Sequence, residues 1–249
     1  GTGYSGGKNI TLPFNPGGDS MSQQMGVSVS GTRIAIGMPN DDGFNDTLGD
    51  SGAVYLYSFA NSNFDSGILE GIIGSGYTGG KNINLSGILD GDDRFGFSVS
   101  LDGNQLAVGA PYDDGSANAL SNSGAVYLFS FTDSVFSGGV LESRIGRNYA
   151  GGKNYNPANL TGSSDFFGWS VSLDANRLAV GAYYDDGLAN AKGDSGAVYL
   201  FSFADSVFTT PTLQSILGYN YTGGKNFNLS TLEVSDTFGS GVSLDVNRL

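Results

Sequence analysis

The chain contains no cysteine and no histidine among its 249 residues. Without cysteine it has no disulfide, no thiolate nucleophile and no cysteine-ligated zinc. Without histidine it lacks the commonest general base and the commonest transition-metal ligand. These absences exclude most familiar hydrolase mechanisms, so no catalytic residue is predicted. Carboxylates, hydroxyls and a few lysines remain, and they suit hard cations, sugar hydroxyls and protein surfaces.

Positive charge is also scarce, with 11 Lys and Arg against 24 Asp and Glu and a formal net charge of -13. A field of this sign repels phosphate backbones, so nucleic acid is not expected as a partner. No apolar run approaches the roughly 18 to 20 residues of a membrane-spanning helix. Residues 1–8 lack the regions of a signal peptide, so any export signal is expected outside the sequence.

Internal repetition dominates what is present. The segment GAVYLYSF at 52–59 recurs as GAVYLFSF at 124–131 and 196–203, each copy 72 residues after the last. A Gly-Gly-Lys-Asn element starts at Gly6, Gly79, Gly151 and Gly223. A Phe-Gly element starts at Phe95, Phe167 and Phe238, and Met25-Gly26 stands in the equivalent first place. Because insertions and deletions are almost absent, each copy is predicted to form the same structural unit.

Each unit is predicted to be all β. In the second unit, 97–101 alternates apolar and polar residues, and Asp102-Gly103-Asn104 forms a hairpin turn. The segments 105–110, 125–131 and 140–145 supply three further strands. No segment has a sustained period of 3.6 residues, so little helix is expected.

Four antiparallel strands at a fixed period predict a β-propeller with blades of about 72 residues. A β-solenoid-like array is the alternative, although its coils are usually only about 20 to 30 residues long. The small residues of the Ala-Val-Gly-Ala strands are expected at the crowded inner position of each blade. The predicted division is the end of a preceding blade at 1–24, blades at 25–94, 95–166 and 167–237, and the first strand of a further blade at 238–249.

About three and a half units fit into 249 residues. Propellers normally close with about four to eight blades, so the sequence is expected to be a window from a longer array.

The segments FGFSVSL (95–101), LAVGAP (106–111) and GAVYLF (124–129) resemble the FG-GAP repeat of the integrin α-chain β-propeller and of many large secreted bacterial proteins. The connector GYTGGKN at 76–82 is most similar to repeats of very large exported proteins of the adhesin or filamentous-haemagglutinin kind. The resemblance implies an adhesive propeller outside the cell or on a bacterial surface. The sequence departs from the pattern at Met25, Met38 and Tyr183.

An acidic loop follows the second strand of each unit. Oxygen-rich loops with a glycine suit Ca²⁺, which takes six to eight oxygen ligands. The FG-GAP resemblance implies such a site through an Asp-x-Asp-x-Asp-Gly pattern, but here the aspartates are adjacent, and the alternative is an acidic turn without metal. The candidate calcium ligands are Asp41, Asp42, Asp46, Asp50, Asp113, Asp114, Asp185, Asp186 and Asp194.

The Gly-Gly-Lys-Asn elements hold four of the five lysines, Lys8, Lys81, Lys153 and Lys225. These cations are predicted either to meet an anionic ligand or a neighbouring subunit, or to pair with a carboxylate or carbonyl inside the connector. Tyrosines are common where proteins bind sugars or other proteins, which adds Tyr77, Tyr149 and Tyr221 as candidate contacts. The single tryptophan, Trp169, has Phe97 one period earlier and is expected to have a packing role.

Three functional hypotheses follow. The first is a non-catalytic extracellular module of a bacterial surface protein that binds a glycan or a protein. The second is a structural subunit whose copies assemble into a filament, sheath or surface layer. A carbohydrate-active enzyme is the third, but near-identical units lack the one special site that catalysis normally needs.

Overall fold

The computed structural model describes Asn9 and residues 25–245. These residues form β-strands and turns, with a single 3-10 turn at Leu188–Asn190. Within them no helix has the length and apolar character needed to cross a membrane. The prediction of an all-β chain is confirmed.

Three sheets follow one another along the chain, and the first four strands of each form an antiparallel meander in sequence order. The first contains β1 (Val27–Ser30), β2 (Arg33–Met38), β3 (Ala53–Ser58), β4 (Ile68–Gly74) and β5 (Ile83–Asn84). The second contains β6 (Ser98–Asp102), β7 (Gln105–Ala110), β8 (Ala125–Ser130) and β9 (Val140–Gly146). The third contains β10 (Phe167–Asp174), β11 (Arg177–Ala182), β12 (Ala197–Ser202), β13 (Thr212–Gly218) and β14 (Phe227–Asn228).

The short strands β5 and β14 were not expected, and each pairs in parallel with the strand before it. The Gly-Gly-Lys-Asn turn explains them. Gly79 and Gly80 have φ angles of 79° and 57°, a region that glycine enters without strain. The Asn82 side chain then accepts a hydrogen bond from the Ile72 N–H at 2.8 Å, which lays the connector along β4.

The sheets stack face to face, so the middle strands are buried on both sides. All six residues of β8 are buried. Tyr127 and Phe129 pack with the first sheet, whereas Val126 and Leu128 pack with the third. Burial on both faces explains why this strand reads as a continuous apolar run. Stacked four-stranded meanders make the fold β-propeller-like, as predicted.

The first strands β1, β6 and β10 contact one another across consecutive sheets. Ser28 Oγ accepts a hydrogen bond from the Leu101 N–H, and Ser100 Oγ accepts one from the Leu173 N–H, both at 2.9 Å. The first strands therefore form the edge at which consecutive sheets converge. The Ala-Val-Gly-Ala strand is the second strand of its sheet and lies between two others, so the prediction that it occupies this inner edge is wrong.

Its small residues have another cause, the close approach of the next unit. A Cβ added at Gly109 would lie 2.0 Å from the Gly168 carbonyl oxygen, and one at Gly124 would lie 2.1 Å from the Phe167 carbonyl oxygen. Gly124 also forms a β-bridge with Phe167. The Phe-Gly element of one unit therefore rests on glycines of the unit before it.

Residues 238–245 lie against the third sheet, with Phe238 bridged to Gly196 and the Leu244 N–H bonded to Ser172 Oγ. They form no extended strand in the described part of the chain. A strand needs a ladder partner, and 246–249, like 1–8 and 10–24, lie outside the described residues.

Candidate functional site

The first aspartate of each acidic loop is buried and held by two tyrosines. In the second unit, Tyr127 Oη donates to Asp113 Oδ2 at 2.6 Å, and Tyr149 Oη lies 3.0 Å from both carboxylate oxygens. The Gly115 N–H donates to Asp113 Oδ1 at 2.7 Å. The other units repeat this tyrosine–aspartate triad as Asp41 with Tyr55 and Tyr77, and as Asp185 with Tyr199 and Tyr221.

Burial and these hydrogen-bond donors shift the pKa of the carboxyl in opposite directions. Burial raises the pKa of Asp185, hydrogen bonds from Tyr199, Gly187 and Tyr221 oppose that rise, and the resulting pKa is about 6. Burial, followed by the nearby charge of Asp185, raises the pKa of Tyr199 well above its usual value. The phenols therefore stay protonated and serve as donors to the carboxylate.

The second aspartate closes its own loop. Asp114 Oδ1 accepts the Asn122 N–H, and Asp186 Oδ1 accepts the Asp194 N–H, both at 2.7 Å. Asp42 makes the same bond to the Asp50 N–H. Each bond spans eight residues and closes the loop.

These contacts already engage several of the aspartates predicted as calcium ligands. Both oxygens of Asp113 already accept hydrogen bonds from O–H and N–H donors, which a cation would have to displace. In residues 25–245, no three acidic side chains are grouped so that they could hold a metal ion. The adjacent aspartates separate, one entering the core and the next facing its own loop, because neighbouring side chains of an extended chain point in opposite directions.

The described lysines of the Gly-Gly-Lys-Asn elements pair inside the chain. Lys153 Nζ forms an ion pair with Glu142 and donates to the Val207 carbonyl oxygen of the next unit at 2.8 Å. Lys81 does the same with Glu70 and Val135. Lys225 bonds Gln214 Oε1 at 2.6 Å, and Lys8 lies outside the described residues. Lys81 and Lys153 pair with a carboxylate, as one of the two predictions states, but the carbonyls that they bond lie in the next unit and not inside the connector. These bonds connect consecutive units.

The candidate contact tyrosines also point inward. Tyr149 and Tyr221 are 4% and 1% exposed, which does not fit the predicted contact with a ligand. Tyr77 is half-buried, and its hydroxyl donates to Asp41.

Two further buried carboxyls were missed by sequence reasoning. Asp93 and Asp165 are 5% and 2% exposed, and each lies two residues before a Phe-Gly element. Burial, with the nearby Asp113 and Asp185 carboxylates respectively, raises the pKa of each to about 8. Their recurrence 72 residues apart was the available signal.

Six aromatic rings meet where the second and third units join. Trp169 stacks on Tyr183, with ring centroids 4.4 Å apart and planes 14° apart. Phe97 lies 4.5 Å from Trp169, and Tyr184 lies 4.5 Å from Tyr183. Tyr112 and Phe166 complete a closed circuit of ring contacts. We name these residues the aromatic patch: Phe97, Tyr112, Phe166, Trp169, Tyr183 and Tyr184.

Four rings of the aromatic patch are partly open to solvent, namely Tyr112, Trp169, Tyr183 and Tyr184. Phe97 and Phe166 are each 9% exposed, and their rings pack against those of Tyr112, Trp169 and Tyr184. The Arg94 guanidinium lies 4.4 Å from the Tyr112 ring centroid and flanks the patch. Trp169 therefore packs against Phe97, Phe166 and Tyr183, as its sequence position predicts, and is also partly open to solvent.

The aromatic patch is specific to one junction, unlike the tyrosine–aspartate triads. Ser28, Ser100 and Ser172 pair with equivalent alanines, so the position of Trp169 holds Met25 in the first unit. The position of Tyr183 holds Pro39 in the first unit and Pro111 in the second. Units that agree in nearly all scaffold positions therefore differ at a partly exposed surface. The departure of Tyr183 from the repeat pattern was the sequence signal for this surface.

Comparison with known proteins addresses the repeats directly. No match was found among the curated proteins. The family model described as the FG-GAP repeat matches residues 90–129 and 158–201. These segments include the Phe-Gly and Gly-Ala elements that join consecutive sheets. The chain therefore contains repeats of the FG-GAP family.

Proposed function

We propose that the chain is a non-catalytic binding module of an extracellular protein on a bacterial surface. The observation that carries the proposal is the contrast between the repeated polar groups and the aromatic patch. The triads and the Lys81 and Lys153 bridges are used in the same way from unit to unit, which is the behaviour of a scaffold. The aromatic patch is partly exposed and occurs at one junction, as expected of a surface that contacts a ligand.

A binding role also agrees with how the buried aspartates, the candidate acid and base groups of the chain, are engaged. The first aspartate of each triad is engaged by three donors, and repeated near-identical sites offer no distinct acid and base. FG-GAP repeats are typically extracellular, which supports a location outside the cell.

A binding screen tests the proposal. The purified chain is applied to arrays of glycans and of extracellular proteins, and its mass in solution is measured in parallel. Saturable binding by a monodisperse chain is the expected result. Ordered filaments in micrographs, with no binding to either array, would contradict the proposal and favour a structural subunit.

A further inference from the structure

The aromatic patch combines three properties that narrow the class of ligand. Its rings are packed against one another, its open members come from both the second and the third unit, and it lies beside an acidic loop of a chain with negative net charge, with Arg94 as a flanking cation. The inference drawn from these properties rests on the binding function proposed above.

The first property is rigidity. Each ring of the patch contacts at least two others, and Tyr183 lies between Trp169 and Tyr184 at 4.4 and 4.5 Å. Rings fixed in this way lose little conformational freedom when a ligand binds. Such a surface favours a ligand that is itself rigid and flat on one side.

The second property is the chemistry of the rings. The face of an aromatic ring carries partial negative charge, and Tyr hydroxyls donate and accept hydrogen bonds. A pyranose ring presents C–H groups on one face and hydroxyls around its edge, so it complements both. Tyr112, Tyr183 and Tyr184 place three phenols among the open rings of the patch.

The third property is the electrostatic field. The chain carries a net charge of -13, and the acidic loop of the third unit begins directly after Tyr184. Asp185 and Asp186 follow Tyr184 directly in the chain, and Asp186 Oδ1 accepts the Asp194 N–H at 2.7 Å. A negative field disfavours sulfated, phosphorylated and uronic-acid ligands.

We propose that the aromatic patch is a binding site for an uncharged glycan, with Trp169 and Tyr183 as the residues that contact a sugar ring. Tyr112 and Tyr184 flank these two rings and supply further contacts. Phe97 and Phe166 hold the open rings in place and do not reach the ligand.

The single tryptophan makes the site directly observable, because all tryptophan fluorescence of the chain comes from Trp169. The chain is titrated with uncharged oligosaccharides, namely cello-, xylo-, manno- and chito-oligosaccharides, and with heparin and polygalacturonate as anionic probes. A saturable change in Trp169 emission with at least one uncharged probe, and none with the anionic probes, is expected.

The repeat itself supplies variants that should fold. Trp169→Phe and Tyr183→Pro introduce the residues of the second unit, Phe97 and Pro111, at the same places in the repeat. Each variant should weaken binding of the uncharged probe by about tenfold or more, measured by calorimetry. Phe227→Ala is the control, since Phe227 is 62% exposed and lies outside the patch; it should leave the affinity unchanged. Melting temperatures show that the variants are folded.

The remaining outcomes separate this site from the wider function. Glycan binding that survives in a folded variant carrying both Trp169→Phe and Tyr183→Pro overturns the patch as the site but does not contradict the binding function. Preference for an anionic probe, or binding to a protein alone, overturns the ligand class. Absence of all binding in both screens overturns the site and the function together.

Discussion

At the scale of single residues, the buried carboxylates are the least expected feature of the chain. A carboxylate withdrawn from water is costly unless donors compensate it. Asp113 receives three such donors, two from tyrosines 14 and 36 residues away and one from its own loop. The triads therefore supply hydrogen-bond donors that compensate the buried carboxylate of each acidic loop.

Tyr149→Phe tests this explanation, because it removes one donor from Asp113 and keeps the aromatic ring. Leaving a buried carboxylate partly unsatisfied costs about 1–3 kcal/mol, so the melting temperature should fall. Tyr155→Phe is the matched control, since the Tyr155 ring packs against Phe201 with ring centroids 5.7 Å apart and lies outside the triad. Equal stability of the two variants would contradict the structural role of the triad.

Calcium is the companion measurement for the same residues. If the triads stabilise the loops, neither added calcium nor a chelator should change the melting temperature of the natural chain. A rise with calcium that Tyr149→Phe abolishes would instead place a metal at the triad.

At the scale of strands and turns, contacts between units depend on glycine as much as on apolar burial. The second strand of one unit and the Phe-Gly turn of the next approach so closely that no side chain fits between them. The Lys153 bridge crosses the same boundary nearer the connector, joining Glu142 of one unit to the Val207 carbonyl of the next. The motif residues of the repeat are therefore contact points between sheets.

Gly109→Ala should destabilise the chain because its Cβ would lie 2.0 Å from the backbone oxygen of Gly168, which cannot rotate away. Overpacking of this kind typically costs about 1–3 kcal/mol. Gly49→Ala is the control, since no atom lies within 4 Å of its added Cβ. Chemical denaturation of both variants gives the comparison, and an unchanged midpoint for Gly109→Ala would refute the close approach.

At the scale of the whole molecule, carboxyls accumulate where units meet. Asp93 lies near Asp113, and Asp165 lies near Asp185, so two acidic groups share each boundary. Burial and like charge favour the neutral form of one member. The stability of the stacked sheets should therefore depend on pH in an unusual direction.

The pKa of Asp93 and of Asp165 is about 8 in the folded chain, against about 3.9 for an unfolded aspartate. The folded state thus holds more protons between these values, and its stability should fall as pH rises from about 4 to about 8 and then level off. Burial also raises the pKa of Asp41, Asp113 and Asp185, which adds to the same decline. Asp133 and Asp205 have lowered pKa values and affect stability only at lower pH. Melting temperatures measured from pH 5 to 8 should decline, and Asp93→Asn with Asp165→Asn should flatten the slope. A slope unchanged in the double variant would assign the pH effect to other groups.

The sequence by itself determined the repeat, the all-β class and the four antiparallel strands of each unit, because these depend on local patterns that recur every 72 residues. It also marked the Phe-Gly and Gly-Gly-Lys-Asn elements, although not what they contact. Only the tertiary structure decided which partners the polar side chains contact and whether they are buried. Asp113 and Tyr149 are 36 residues apart, and Tyr112 and Trp169 come from different units, so their meeting depends on how the sheets fold and stack. A pattern along the chain specifies which face a side chain takes in a strand, but a three-dimensional neighbour decides whether that side chain is buried, bonded or open to a ligand.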